Sequence, residues 1–233
     1  IFTPTVTFAS GIVECQSNAL LNALNIDAGA TLALNFCGVT ANGNGLNNGV
    51  ITKVGSSNFN FNGQTFTNNG SVGNIDFLTF NNGNGPPVQF VSGIGSWSPA
   101  NINVGAGTPT RLNLGTNVTF ATNQLITATS ASIDVGSGLT LAMTGPTNFF
   151  RGRITGTGLV KIQPSSGSPQ LGTNLTIDPA VEISSGTVRA IGTIFNGKLI
   201  IDAGSTFSLL GSVEANGDFE NNGILNVVSD SQL

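Results

Sequence analysis

The sequence has no histidine and no tyrosine, and it has one methionine and one tryptophan. Without histidine, the commonest general base and the commonest transition-metal ligand are missing. Nucleophilic systems of the Ser-His-Asp or Cys-His type cannot be assembled. Charge is scarce as well: 8% of the 233 residues are ionisable, with seven Lys and Arg against eleven Asp and Glu. A pI near 4.5 leaves no basic surface for phosphates, so nucleic acid is not expected as a partner. No apolar run reaches the length of a membrane span, and no insertion into a membrane is expected.

What is present is a polar, neutral and turn-rich composition around an apolar set. There are 32 Gly and 29 Asn, yet 39% of residues are hydrophobic and 15 are Phe. Disordered chains are poor in apolar residues and rich in charge, so this chain is expected to bury a core. Only residues 17–25, with Leu20, Leu21 and Leu24, show helix-like spacing. Elsewhere short alternating apolar runs end at Gly or Asn every few residues, which reads as many short strands.

One phrase recurs as LNIDAGATLAL from Leu24, ASIDVGSGLTLAM from Ala131, LTIDPAVEIS from Leu175 and LIIDAGSTFSLL from Leu199. Its aspartates are Asp27, Asp134, Asp178 and Asp202. Their spacings are near five, two and one multiples of roughly 21 to 24 residues, a cadence of the kind that marks a repeat architecture. A second phrase, Asn-Asn-Gly, stands at 47–49, 68–70, 81–83 and 221–223. Both cadences suit a period of roughly 22 residues with three short strands per period. That predicts an all-β parallel solenoid of about ten coils, a rod about 50 Å long at the strand spacing of a sheet. A β-sandwich or jelly roll is the alternative. Residues 1–10 are read as an extended arm or edge strand, and 11–233 as one solenoid domain.

Cys15 and Cys37 lie one such period apart. Stacked neighbours in a sheet fall within disulfide range, so a bond tying the first coil to the second is expected; two free buried thiols are the alternative. A disulfide would place the chain in an oxidising compartment. Phe2, Pro4, Val6 and Phe8 share one side of an extended segment. They form either the edge of the chain's own sheet or an arm donated to a neighbouring subunit.

The segments 199–229 (LIIDAGSTFSLLGSVEANGDFENNGILNVVS) and 61–83 (FNGQTFTNNGSVGNIDFLTFNNG) resemble the repeats of bacterial surface β-helix proteins. Those are the autotransporter passenger domains and filamentous-haemagglutinin-like adhesins. The resemblance covers most of residues 20–229, rests on composition and cadence, and brings no catalytic signature. It implies a secreted or surface-displayed solenoid used for adhesion or as a scaffold. The short chain fits a free fibre subunit better than the autotransporter route.

Several residues are candidates for chemistry. The recurring aspartates are read as turn caps, with stacked acid and base carboxylates as the catalytic alternative. Glu214, Asp218 and Glu220 are a weak calcium candidate against a solvated acidic corner. Arg151 and Arg153 in FFRGRITG face an acidic glycan, a neighbouring subunit or solvent. Trp97 in GIGSWSPANI either stacks on a sugar ring or covers a coil end. Asn117-Val-Thr119 and Asn174-Leu-Thr176 fit the glycosylation sequon. Thr-x-Thr pairs such as Thr65/Thr67 and Thr127/Thr129 suggest ice binding but keep no constant period.

The expectation is therefore a non-catalytic structural subunit of an extracellular fibre or adhesive scaffold. It needs no cofactor, and its partners are copies of itself, joined head to tail, and host or matrix glycans. A monomeric glycan-binding adhesin is the first alternative; a polysaccharide lyase or hydrolase and an ice-binding protein follow.

Overall fold

The structure, a computed structural model, describes residues 4–81, 88–105, 110–146 and 151–228. The chain winds through three faces in turn. The first coil is Thr5–Phe8, Gly11–Cys15 and Ala19–Leu21; the second is Ala23–Ile26, Ala30–Leu34 and Gly38–Ala41. Every strand pairs parallel with its counterpart one coil away: Thr5–Phe8 with Ala23–Ile26, Gly11–Cys15 with Ala30–Leu34. The first and second faces are each eleven strands deep. The third face divides into six strands, Ala19–Leu21 to Gln124–Thr127, and four, Gln170–Leu171 to Ile224–Val227. The break falls where the chain runs from Thr140–Met143 directly to the first-face strand Gly152–Gly156, with no third-face strand among the described residues. The protein is thus a parallel β-solenoid of about ten coils, and the sandwich alternative is set aside.

The alternation of the sequence explains why each strand lies as it does. In Asn101–Val104 and in Leu159–Ile162 the second and fourth residues are buried and the others half-buried. Successive side chains of a strand point to opposite sides, so one set fills the interior and the other faces water. The interior is one continuous apolar column running from Leu21 to Val213. From the third coil to the sixth it is aromatic. Phe66 lies 5.2 Å from Phe61 and 5.6 Å from Trp97, and Trp97 lies 6.1 Å from Phe120. These tilted and edge-on pairs are the arrangements that the ring quadrupole favours.

The coil step is not constant. Between stacked neighbours it is 18 residues from Asp178 to Asn196 and 25 from Thr67 to Ser92. Strands hold their register while the corners absorb insertions. Residues 17–25 form no helix: they make the strand Ala19–Leu21, a corner at Asn22 and the strand Ala23–Ile26. Leu21 and Leu24 are buried on either side of the corner while Leu20 points outward. A strand-corner-strand unit therefore imitates helical spacing.

The Asn-Asn-Gly phrase is a stacked corner. Asn47 Nδ2 donates to Asn68 Oδ1 at 2.8 Å, and Asn69 Nδ2 to Asn48 Oδ1 at 2.9 Å. Asn47 and Asn68 are fully buried. Asn47 Nδ2 also reaches Ser71 O at 3.0 Å, and Asn68 Nδ2 reaches Ser96 O at 3.0 Å. Buried amides survive here because their hydrogen bonds run on from coil to coil.

Candidate functional site

Each residue singled out in the sequence has a definite place in the coil. The segment read as an assembly arm is the solenoid's own first strand. Val6 pairs with Leu24 and Phe8 with Ile26, and both pack against the core. Pro4 is exposed, its carbonyl accepting from Asn22 N at 2.8 Å; Phe2 lies outside the described residues. Residues 5–8 are thus committed within the chain, which removes the donated-arm reading for Val6 and Phe8.

The expected disulfide is also absent, and both cysteines are free thiols. The local coil step, from Gly11 to Ala30, is shorter than the Cys15-to-Cys37 spacing, so Cys15 pairs with Leu34 and Cys37 stands on the next corner, its thiol still within hydrogen-bond reach of Cys15. Burial, followed by the hydrogen bond to Cys15, pushes the Cys37 thiol up to about 11. The thiolate is the reactive form, so alkylation of Cys37 near pH 8 is expected to run about 100-fold slower than for an ordinary cysteine. Iodoacetamide labelling followed by peptide mass mapping checks this; equal rates at Cys15 and Cys37 would refute the buried placement.

Trp97 does not meet solvent. It is 2% exposed, at the centre of the second-face strand Ser96–Ser98, with Phe66, Phe80 and Phe120 around it. It stands in mid-stack, so it neither stacks on a sugar nor covers a coil end.

The recurring aspartates do not form one column. Asp178 follows Ile177, which pairs with Phe195, so Asp178 lies beneath Asn196; Asn196 Nδ2 donates to Asp178 Oδ1 at 2.8 Å. Asp202 follows a second-face strand and belongs to a different corner. The turns are closed by backbone carbonyls instead: Ala30 N donates to Asp27 O, and Ser205 N to Asp202 O, each at 3.0 Å. The carboxylates of Asp134 and Asp178 face outward and meet arginines of the preceding coils. Arg111 donates to Asp134 at 2.9 Å and Arg153 to Asp178 at 2.8 Å.

Arg153 therefore lies on the first face, beside Ser132 in register, with Arg111 on the far side of Ser132. Arg151 is exposed just before that strand. Arg111, Arg153, Thr129, Ser130, Ser132 and Thr155 line a shallow cleft of about 370 Å³. Both of its guanidiniums are engaged with carboxylates, which leaves little positive potential for an anion.

Glu220 takes Lys198 Nζ at 2.6 Å and Asn222 Nδ2 at 2.9 Å, while Glu214 belongs to the neighbouring face. Among the described residues no three His, Cys, Asp or Glu side chains converge on a common point, so Glu214, Asp218 and Glu220 do not make a calcium cage.

Sequence reasoning missed the exposed apolar residues. Ile12 and Leu20 are exposed on the first coil; Phe219, Ile224 and Val227 are exposed on the last. Alternation from inward Leu32 and Leu34 predicts a buried Phe36; instead it is 77% exposed. Its φ of +53° turns the corner and reverses its side.

Comparison with protein-family models, curated proteins and solved structures finds no match. What the fold defines is a class, the parallel β-solenoid with three faces per coil.

Proposed function

We propose that the protein is a structural solenoid, a rod segment of an extracellular fibre or adhesive scaffold, in which copies join head to tail through strand edges. The observation that carries this reading is the rod itself, about ten coils of parallel strands on three faces around one continuous apolar column. Among the described residues, Thr5–Phe8, Gly11–Cys15 and Ala19–Leu21 have strand partners on one side only, and so do Glu214–Ala215, Phe219–Asn221 and Ile224–Val227. The first and last described coils present three parallel edges in the same order around the coil. A strand edge is a template for another strand. Because the two ends differ, their contact is heterologous, and such contacts propagate into filaments when the rotation does not close a ring. The weakly charged surface adds little repulsion between copies. The cadence shared with bacterial surface β-helix repeats supports an extracellular setting, and host or matrix glycans remain proposed partners of the rod's side.

Negative-stain electron microscopy over a concentration series tests this. Filaments are expected to lengthen with concentration, and Ile224→Lys together with Val227→Lys is expected to shorten them to single rods of about 50 Å. Single rods of the unaltered protein at every concentration would overturn it.

A further inference from the structure

We propose that the corner between the second and third faces of the first three coils is a binding site for a neutral saccharide, with Phe36 as its stacking platform. The cleft borders the first-coil edge Ala19–Leu21, and the proposal rests on the reading of glycans as partners of the rod's side.

The corner encloses a cleft of about 480 Å³ whose lining includes Phe36, Gly38, Asn18, Asn58, Thr40 and Asn60. Phe36 is its wall. The ring lies over Gly55 of the next coil: a Cβ on Gly55 would stand 2.7 Å from Phe36 Cδ2 and Cε2. One side of the ring is thus seated on backbone while the residue stays largely in water. An exposed aromatic in the left-handed region carries two unfavourable features at once, and such strain persists only where neighbours over-determine it. Here they do. Asn35 N donates to Cys15 O at 2.9 Å, and Asn35 Nδ2 to Glu14 Oε1 at 2.6 Å, fixing the residue just before Phe36. On the coil above, Ser57 N donates to Asp76 Oδ2 at 2.9 Å and holds the facing corner.

The floor is polar and uncharged. Gly38 pairs in register with Asn58, and its missing side chain opens a dip flanked by Asn18 and Asn58. Asn18 Oδ1 accepts from Gly38 N at 2.8 Å, which leaves the Asn18 amide NH2 to donate. Thr40 and Asn60 continue the floor in register, joined by a long 3.4 Å bond that a ligand hydroxyl can replace.

The chemistry selects the ligand class. An aromatic ring face attracts the positively polarised C–H face of a pyranose, while neutral amides and hydroxyls exchange hydrogen bonds with its hydroxyls. No cation lines the cleft to reward a sulfate or uronate. The Arg111–Arg153 cleft is the reverse, with guanidiniums and no aromatic.

The test is an amide chemical-shift titration of the whole chain with neutral hexaoses (cellohexaose, mannohexaose, laminarihexaose and maltohexaose) at millimolar concentration, with hexagalacturonate as the acidic comparator. At least one neutral hexaose is expected to shift amides of residues 18–20, 36–40 and 56–60. Phe36→Ala should weaken binding about tenfold or more, and Ile94→Ala, at a 90% exposed position elsewhere, should leave it unchanged. No shift with any neutral hexaose, shifts confined to other residues, preference for the galacturonate, or unaltered binding by a folded Phe36→Ala protein would each overturn the proposal.

Discussion

Phe66→Ala is expected to destabilise the protein by about 3–5 kcal/mol, the range for emptying a buried phenylalanine site. Phe66 is fully buried on the first face of the fourth coil. It joins the aromatic cluster across three coils, with Phe59 at 5.7 Å, Phe61 at 5.2 Å and Trp97 at 5.6 Å. It also stands in register with Gly45, which has no side chain to fill the gap. The strands around it are held in ladders, so the cavity cannot collapse without breaking register. In a solenoid each coil touches only its neighbours, and a weakened interface uncouples the stack on its two sides. The expected result is therefore an earlier and broader transition. Trp97 fluorescence, reporting the wound, should change before far-ultraviolet circular dichroism, reporting all coils. Ile94→Ala is the control, expected within about 0.5 kcal/mol of the unaltered protein because the side chain is exposed. A single unshifted transition in Phe66→Ala would mean that the aromatic cluster does not clamp these coils together.

The fold was legible where a repeat is carried by backbone-determining residues. Asn47 and Asn68, which open two copies of the Asn-Asn-Gly phrase, lie 21 residues apart in sequence and one coil apart in space. Phe66 pairs with Gly45 and Asn68 with Asn47, which sets the two phrases in register. Asn221-Asn222-Gly223 uses the same local bond: Gly223 N donates to Asn221 Oδ1, as Gly49 N does to Asn47 Oδ1, each at 3.2 Å. Yet it closes the corner between the second and third faces, whereas the first two close the corner between the first and second. A local turn motif names a corner without naming which one. The same ambiguity misled the reading of Asp178 and Asp202, whose spacing is one short coil, Asp178 to Asn196, plus part of the next corner and strand. Cys15 and Cys37 come near each other without sharing a register position for a related reason. An averaged period hides a shorter local step, Cys15 to Leu34, and a slip of a few residues moves a side chain from strand to corner.

The candidate sites were less legible than the core. Alternation assigns inside and outside only while the strand continues. Trp97, set among Gly and Ser, reads as a loop residue, yet it occupies an inward strand position. Phe36, flanked by Asn and Cys after an alternating run, reads as core, yet a positive φ carries it outward. A backbone reversal at a non-glycine residue leaves no compositional trace, and the exposed aromatic at that corner could not be foreseen.

Gly70→Ala is expected to cost more than about 4 kcal/mol, at the severe end for a single substitution. Gly70 is the middle member of a glycine column at the first-to-second corner, between Gly49 below and Gly95 above. A Cβ on Gly70 would lie 1.9 Å from Gly49 O, and one on Gly95 would lie 2.3 Å from Gly70 O. The obstructing atoms are backbone, so no side chain can turn aside. Gly49 O is also the acceptor for Ser71 N at 2.8 Å, and Gly70 N donates to Asn47 O at 3.0 Å. Separating the corners to admit a methyl group would break those two bonds. It would also stretch the buried Asn47–Asn68 amide pair directly behind them. Each buried polar group left unpaired adds about 1–3 kcal/mol, which raises the cost beyond simple steric overlap. Asn69→Ala, one residue away on the same turn, loses only the exposed bond to Asn48 and is expected to cost about 1 kcal/mol or less. Guanidinium denaturation of the two variants side by side separates the claims. A large drop in midpoint for Gly70→Ala with a small one for Asn69→Ala identifies backbone approach at the corner as what the glycine secures. Equal small drops would mean that the coils at this corner stand further apart than the structure places them, and the amide ladder behind them would lose its geometric basis.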